Sequence, residues 1–240
     1  KQLALGCLLH EDTHKFLPSG GWIDYYTADA NMGYGERHPG SWYFSILPYI
    51  EEGAVHDLNK GMAVNPPAAG AQAATTTLNT TPITIFHCPS RRVAKLYPIV
   101  SDTGTKTWTT LVVQKWIQDL PTIVKGDYAA NAGDSYLGAG NDVNGQKFVA
   151  PATSDYPALA NTKWSDTEVK GTGLSPNVYR QTGVIFYRSQ VSGKQITDGT
   201  SNTYLIGEKF LSPRMYESAE FSWTGYGDNQ GAYVGFEVDN

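Results

Sequence analysis

Five successive residues, His10-Glu11-Asp12-Thr13-His14, form the pattern in this chain best suited to chemistry. On a helix the two histidines lie one turn apart. Both imidazoles could then reach one Zn²⁺ while the glutamate acts as general base on a metal-bound water. The surroundings argue otherwise. The helix should end before Pro18 and the Gly20-Gly21 pair, and no glycine or third histidine follows at the spacing of the extended zinc-peptidase motif. Glu36, Glu51 and Glu52 are available as a third ligand, but nothing in the loops around them singles one out. We expect His10 and His14 to be helix-surface residues that hold no zinc, with Glu11 in no catalytic role.

Other constellations are weaker. Asp134, Asn141, Asp142 and Asn144 could offer oxygens to Ca²⁺, yet their spacing lacks the acidic density of a dedicated cage, and turn formation is the expected role. Ser201 has no Gly-x-Ser-x-Gly elbow around it, and no His or Asp is placed by sequence to activate it. Gly133 to Gly145 is glycine-rich but lacks the Lys-Ser/Thr ending of a phosphate loop. No catalytic residue and no cofactor is expected.

The elements that must position these residues follow from composition and rhythm. The 240 residues can bury a sizeable core, and a charged fraction of 17%, below the usual level of about 25%, fits a chain rich in loops and strands. A net charge of -5 with no basic cluster argues against nucleic acid and against an anionic membrane surface. Lys1 to His10 is already in helical rhythm, with Leu5, Leu8 and Leu9 on one stripe and no capping residue ahead, so the helix is expected to begin upstream. Residues 41 to 58 suggest a helix broken at Pro48. Residues 61 to 82, rich in Ala, Thr and Pro without period, suggest an extended connection, and 134 to 182 suggests long loops. Strands are expected at Ile83 to Cys88, Trp108 to Val113, Ala219 to Thr224 and Ala232 to Val238.

The most specific stretch is Ile196-Thr197-Asp198-Gly199-Thr200-Ser201-Asn202-Thr203-Tyr204-Leu205-Ile206-Gly207-Glu208. Asp198-Gly199 is a turn dipeptide, and the residues after it have short side chains that can bond back to the local backbone. An apolar strand follows at once, with 183 to 188 as its expected antiparallel partner. The small residues of Asp127-Tyr128-Ala129-Ala130-Asn131-Ala132-Gly133 suggest a backbone passing close to something packed.

Together with Lys1-Gln2-Leu3, Asp12-Thr13-His14, Leu47-Pro48-Tyr49-Ile50-Glu51 and Cys88-Pro89-Ser90, these blocks occur in an order that resembles a pilin-like family abundant in planctomycetes. Its members are usually labelled prepilin-type cleavage/methylation proteins carrying a domain of unknown function, and they are related to type IV pilins and type II secretion pseudopilins. The resemblance spans residues 1 to about 208. It implies an α+β fold in one head domain over 1–240. Residues 1–17 would end a longer helix, Leu3, Leu5, Leu8 and Leu9 would form its packing and assembly stripe, and large loop insertions would decorate an antiparallel sheet. It gives Asp127, Tyr128, Asn131, Gly133, Asp198, Gly199, Asn202 and Glu208 structural roles.

The same resemblance implies a cell-envelope or extracellular, non-enzymatic subunit whose partners are copies of itself or related subunits. Such a protein touches the membrane only through an apolar helix upstream of Lys1. An envelope location would permit a bridge between Cys7 and Cys88. The many aromatics, Trp22, Tyr25, Tyr26, Tyr34, Trp42, Tyr43, Trp108, Trp116, Tyr136, Trp164 and Trp223 among them, admit core packing or a second function, a surface module for carbohydrate or another ligand.

Overall fold

The computed structural model describes residues 1–22, 26–62, 69–98, 120–133, 182–213, 216–217, 228 and 231–235. The strands expected at 108–113 and 219–224, and the aromatics Tyr25, Trp108, Trp116, Tyr136, Trp164 and Trp223, lie outside these residues.

Helix α1 runs Gln2–His14 and stops where Lys15 turns left-handed (φ 70°), its N–H closing on Glu11 O at 2.7 Å. That end precedes Pro18, as the sequence predicts. Its buried face is Leu3, Gly6, Cys7 and His10, whereas Leu5, Leu8 and Leu9 are 55%, 51% and 41% exposed. The expected stripe is therefore corrected: of its four leucines only Leu3 packs inward. Small residues explain the choice, since a Cβ at Gly6 would stand 3.0 Å from Ile50 Cγ2, so the helix seats itself by its narrowest face.

Among the described residues α1 packs chiefly on helical elements, where a sheet was expected. It packs on α2 (Trp42–Ile46), on the 3₁₀ turn Leu47–Tyr49 and on a second 3₁₀ turn, Thr84–Phe86. All five residues of α2 are buried. Trp42 stacks on Tyr43 (ring centroids 4.0 Å apart), and Tyr43 meets Phe86 at 4.5 Å. The break expected at Pro48 is present, because Pro48 lies in the 3₁₀ turn before α3 (Gly53–His56). Thr84–Phe86 replaces the strand expected at Ile83 to Cys88, with Phe86 N–H bonding Ile83 O at 3.1 Å.

Residues 69 to 79, expected as part of an extended connection, form a helix, α4 (Ala69–Asn79). Threonine hydroxyls bond carbonyls one turn back at its C-terminal end, Thr77 to Ala73 O (3.0 Å), Thr80 to Thr76 O (2.9 Å) and Thr81 to Thr77 O (2.7 Å). Burial of Ala71, Thr75, Leu78 and Asn79 outweighs the low helix propensity of threonine. Buried Asn79 accepts from Thr27 Oγ1 at 3.1 Å and donates to Thr75 O at 2.9 Å.

Among the described residues, two small antiparallel pairs make the architecture α+β. Strand β1 (Tyr97–Pro98) pairs with β2 (Thr122–Ile123), and β3 (Tyr128–Ala130) pairs with β4 (Ile206–Glu208) in the register Tyr128↔Glu208, Ala129↔Gly207, Ala130↔Ile206. The expected partner of β4, residues 183 to 188, is displaced. Asn131 holds the adjoining position, with its N–H on Leu205 O (3.0 Å) and its side-chain amide on Tyr204 O (2.7 Å), while Val184 and Ile185 donate to Asn131 O. Of the strand expected at Ala232 to Val238, the described part makes one bridge, Val234 to Thr27.

Candidate functional site

The His-Glu-x-x-His residues sit at the C-terminal end of α1, where His10 and His14 face Tyr34 and Tyr49. His10 is 0% exposed, which corrects its placement on the helix surface. Its Nδ1 lies 3.0 Å from the carbonyl of Phe16, and since a carbonyl only accepts, Nδ1 carries the proton. The buried Nε2 meets no hydrogen-bond partner among the described residues. Burial, and after it the neighbouring His14, pushes the His10 pKa down to about 4. His14, partly buried, has its pKa lowered by the same desolvation, and its Nε2 bonds the Tyr49 hydroxyl at 3.0 Å.

Aromatic contacts extend this cluster. The His14 and Tyr34 rings are 4.0 Å apart, the Tyr34 hydroxyl bonds His56 Nε2 (3.2 Å), and His56 Nδ1 bonds Asp57 Oδ1 (2.7 Å). Glu11 points elsewhere. Its carboxylate accepts the N–H of Gly193 at 2.5 Å, tying α1 to the 3₁₀ turn Gly193–Gln195. The three motif residues are thus engaged by three different partners, Phe16, Gly193 and Tyr49. Among the described residues no group of three or more His, Cys, Asp or Glu is arranged to hold a metal.

A second constellation gathers the two family blocks. Asp127 is fully buried, taking the Cys88 N–H on Oδ2 (2.8 Å) and Arg92 Nε on Oδ1 (2.7 Å). Arg92 reaches on to Asp228 through both terminal nitrogens, at 2.6 and 2.9 Å. Lys209 and Lys125 stand 3.1 and 3.4 Å from the same Asp228. Burial works against ionised Asp228, but Lys209, Arg92 and Lys125 outweigh it and hold its pKa at about 2. Sequence reasoning singled out Asp127 and missed Arg92, Lys125, Lys209 and Asp228. Their one available signal was charge inside stretches otherwise able to bury.

The remaining motif residues shape backbone. The Tyr43 hydroxyl donates to Tyr128 O at 2.6 Å and accepts Tyr128 N–H at 2.9 Å. Gly133 is left-handed (φ 98°), with its N–H on Asn131 Oδ1 at 2.9 Å. Gly199 (φ 85°) turns the chain after Asp198, and Asn202 closes that turn with its amide on Asp198 O (3.0 Å) and its N–H on Gly199 O (3.0 Å). Glu208 pairs with Arg91 at 3.0 Å.

Cys7 and Cys88 are both buried free thiols, which corrects the expected bridge. Cys7 lies in the apolar core, where burial pushes its thiol pKa up, while the Cys88 sulfur turns to Ser90 Oγ (3.1 Å) and Glu208 Oε1 (3.6 Å). The calcium candidates Asp134, Asn141, Asp142 and Asn144 lie outside the described residues. No described helix is long and apolar enough to cross a membrane.

A family model described as "Protein of unknown function (DUF1559)" matches residues 1–235. No curated protein and no solved structure matches the chain.

Proposed function

We propose that this chain, which belongs to the family described as Protein of unknown function (DUF1559), is a non-enzymatic structural subunit of a cell-envelope or extracellular pilin-like assembly, a filament or tubule. Its partners are copies of itself or related subunits, and it is anchored in the membrane before assembly by an apolar helix upstream of Lys1. The observation that carries this reading is the two-sided character of α1. One face, Leu3, Cys7 and His10, is buried in the chain's own core, while Leu5, Leu8 and Leu9 present a second apolar stripe to the outside. Isolated exposed leucines are ordinary, but three within two turns of one helix form a strip suited to a neighbouring helix. If the stripe meets a different surface of the next copy, head-to-tail, the contact propagates into a filament wherever the rotation between copies does not close a ring.

The test is cross-linking in the native cells. A Leu8→Cys variant should form disulfide-linked dimers under oxidation, whereas Thr77→Cys, at an exposed position of α4, should not. Equal or absent cross-linking at both positions would contradict the reading. Tyr204 and Phe210, 86% and 78% exposed on either side of β4, favour a second reading, a surface module that stacks carbohydrate rings. Saturable binding on a glycan array that is lost in Tyr204→Ala would support it.

A further inference from the structure

The β3–β4 pair has one guarded edge and one open edge. On the outer side of β3, the Tyr43 hydroxyl takes both main-chain groups of Tyr128, donating to its carbonyl at 2.6 Å and accepting its N–H at 2.9 Å. On β4, the bonds from Lys209 N–H to Asp127 O (2.9 Å) and from Asn131 N–H to Leu205 O (3.0 Å) fix which residues face β3. Antiparallel alternation then turns the N–H and C=O of Ile206 and Glu208 away from it. Among the described residues those outward groups meet no hydrogen-bond partner. Gly207 and Glu208 are exposed, and a Cβ built on Gly207 would meet nothing within 4 Å.

The strand around Gly207 is matched to itself. When two copies of β4 run antiparallel with Gly207 facing Gly207, Ile206 of each copy falls opposite Glu208 of the other. Those are the residues whose main-chain groups point outward, so each such pair exchanges both of its N–H to C=O bonds. Tyr204 and Phe210, 86% and 78% exposed, stand at equal distance on either side of Gly207. The same register sets Tyr204 of each copy opposite Phe210 of the other, and aromatic pairs across strands add to the stability of a sheet. At about 150–250 Å² per buried ring, Tyr204 and Phe210 of both copies supply up to about half of the roughly 1,200 Å² at the lower end of specific interfaces. No like charges are brought face to face. Glu208 meets Ile206 and is held within its own chain by Arg91 at 3.0 Å, while Lys209 is buried against Asp228 at 3.1 Å.

We propose that β4 is a self-docking edge, through which two copies of this chain join about a two-fold axis at Gly207 into one four-stranded antiparallel sheet. The contact lies on a different element from the α1 stripe and closes in pairs, so it goes beyond the proposed assembly and stands without it.

Sedimentation equilibrium of the intact chain tests this, together with cysteine cross-linking. The chain should show a reversible monomer–dimer equilibrium, weakened roughly tenfold or more in the Tyr204→Ser, Phe210→Ser double variant. Both side chains are exposed, so the double variant keeps its fold. Gly207→Cys sets two thiols across a non-hydrogen-bonded pair, where Cα atoms lie about 4.5 Å apart, within disulfide reach. It should form disulfide-linked dimers under mild oxidation, whereas Ser201→Cys, exposed in the turn before β4, should not. A variant with Leu5, Leu8 and Leu9 changed to lysine should dimerise unchanged, which separates this contact from the α1 stripe. A chain monomeric up to about 1 mM, equal cross-linking at positions 201 and 207, a dimer unmoved by loss of both aromatics, or one lost in the lysine variant would overturn the proposal.

Discussion

Asp127 and Arg92, thirty-five positions apart in the chain, meet with both side chains 0% exposed, Oδ1 to Nε at 2.7 Å. The pair joins the turn after Cys88 to β3, since Asp127 also holds the Cys88 N–H. Removing one partner of such a pair leaves the other charge buried and uncompensated. Arg92→Met should therefore cost about 3–5 kcal/mol in denaturant unfolding. A loss below about 1 kcal/mol would show that the pair adds no more than a surface contact.

The same network sets an acid limit. The Asp228 carboxyl is held at about 2 against an ordinary 3.8, so the stability it contributes is complete above the ordinary value and is lost as pH falls from there toward 2.

The histidines act at higher pH and in a different way. Burial lowers His10 from 6.5 to about 4 and His38 from 6.5 to about 3. The folded chain keeps both rings neutral, while the unfolded chain takes up protons as soon as pH drops below about 6.5. Stability should be complete above that value and decline as pH falls toward 4, by on the order of 3 kcal/mol for His10 alone, at about 1.4 kcal/mol for each tenfold change in proton affinity. Urea midpoints measured between pH 7.5 and 4.5 check this, and His10→Phe should flatten part of the slope. A midpoint independent of pH over that range would contradict the burial of these rings.

Much of the local architecture was legible in the sequence. The end of α1, the break at Pro48 and the Asp198-Gly199 turn follow from proline, glycine and short polar side chains, whose effects are confined to their own neighbourhood. The errors lie where tertiary burial decided between local options. Leucines advertise a core face, yet α1 turned its small residues inward because Ile46 and Ile50 needed the room beside Gly6. Threonines in α4 suggest a loop, but the burial of Leu78 and Asn79 made them helical. His10 looked solvent-facing because its lining, Tyr34 and Tyr49, comes from residues 24 and 39 positions further on. The Arg92–Asp228 contact joins residues 136 apart, a separation over which no spacing rule operates.

Helix α4 offers a direct check on that correction. Leu78 is 0% exposed in the main core, so Leu78→Ala should cost about 2–5 kcal/mol. A residue in an extended surface connection would lose less than about 0.5 kcal/mol.

The cysteines give a chemical readout. With both thiols free, protein unfolded without reductant should titrate two thiols per chain. A count of zero would restore the Cys7–Cys88 bridge and with it a different packing of α1 against the turn at Cys88.

The central claim is that the outward stripe of Leu5, Leu8 and Leu9 joins copies of this protein. Electron microscopy of the protein isolated from its native cells tests it most directly. The account predicts an ordered filament or tubule in which those three side chains lie at the subunit contact, and its loss when all three are changed to lysine. A protein that stays monomeric after membrane extraction, with no ordered polymer in the native material, would contradict it.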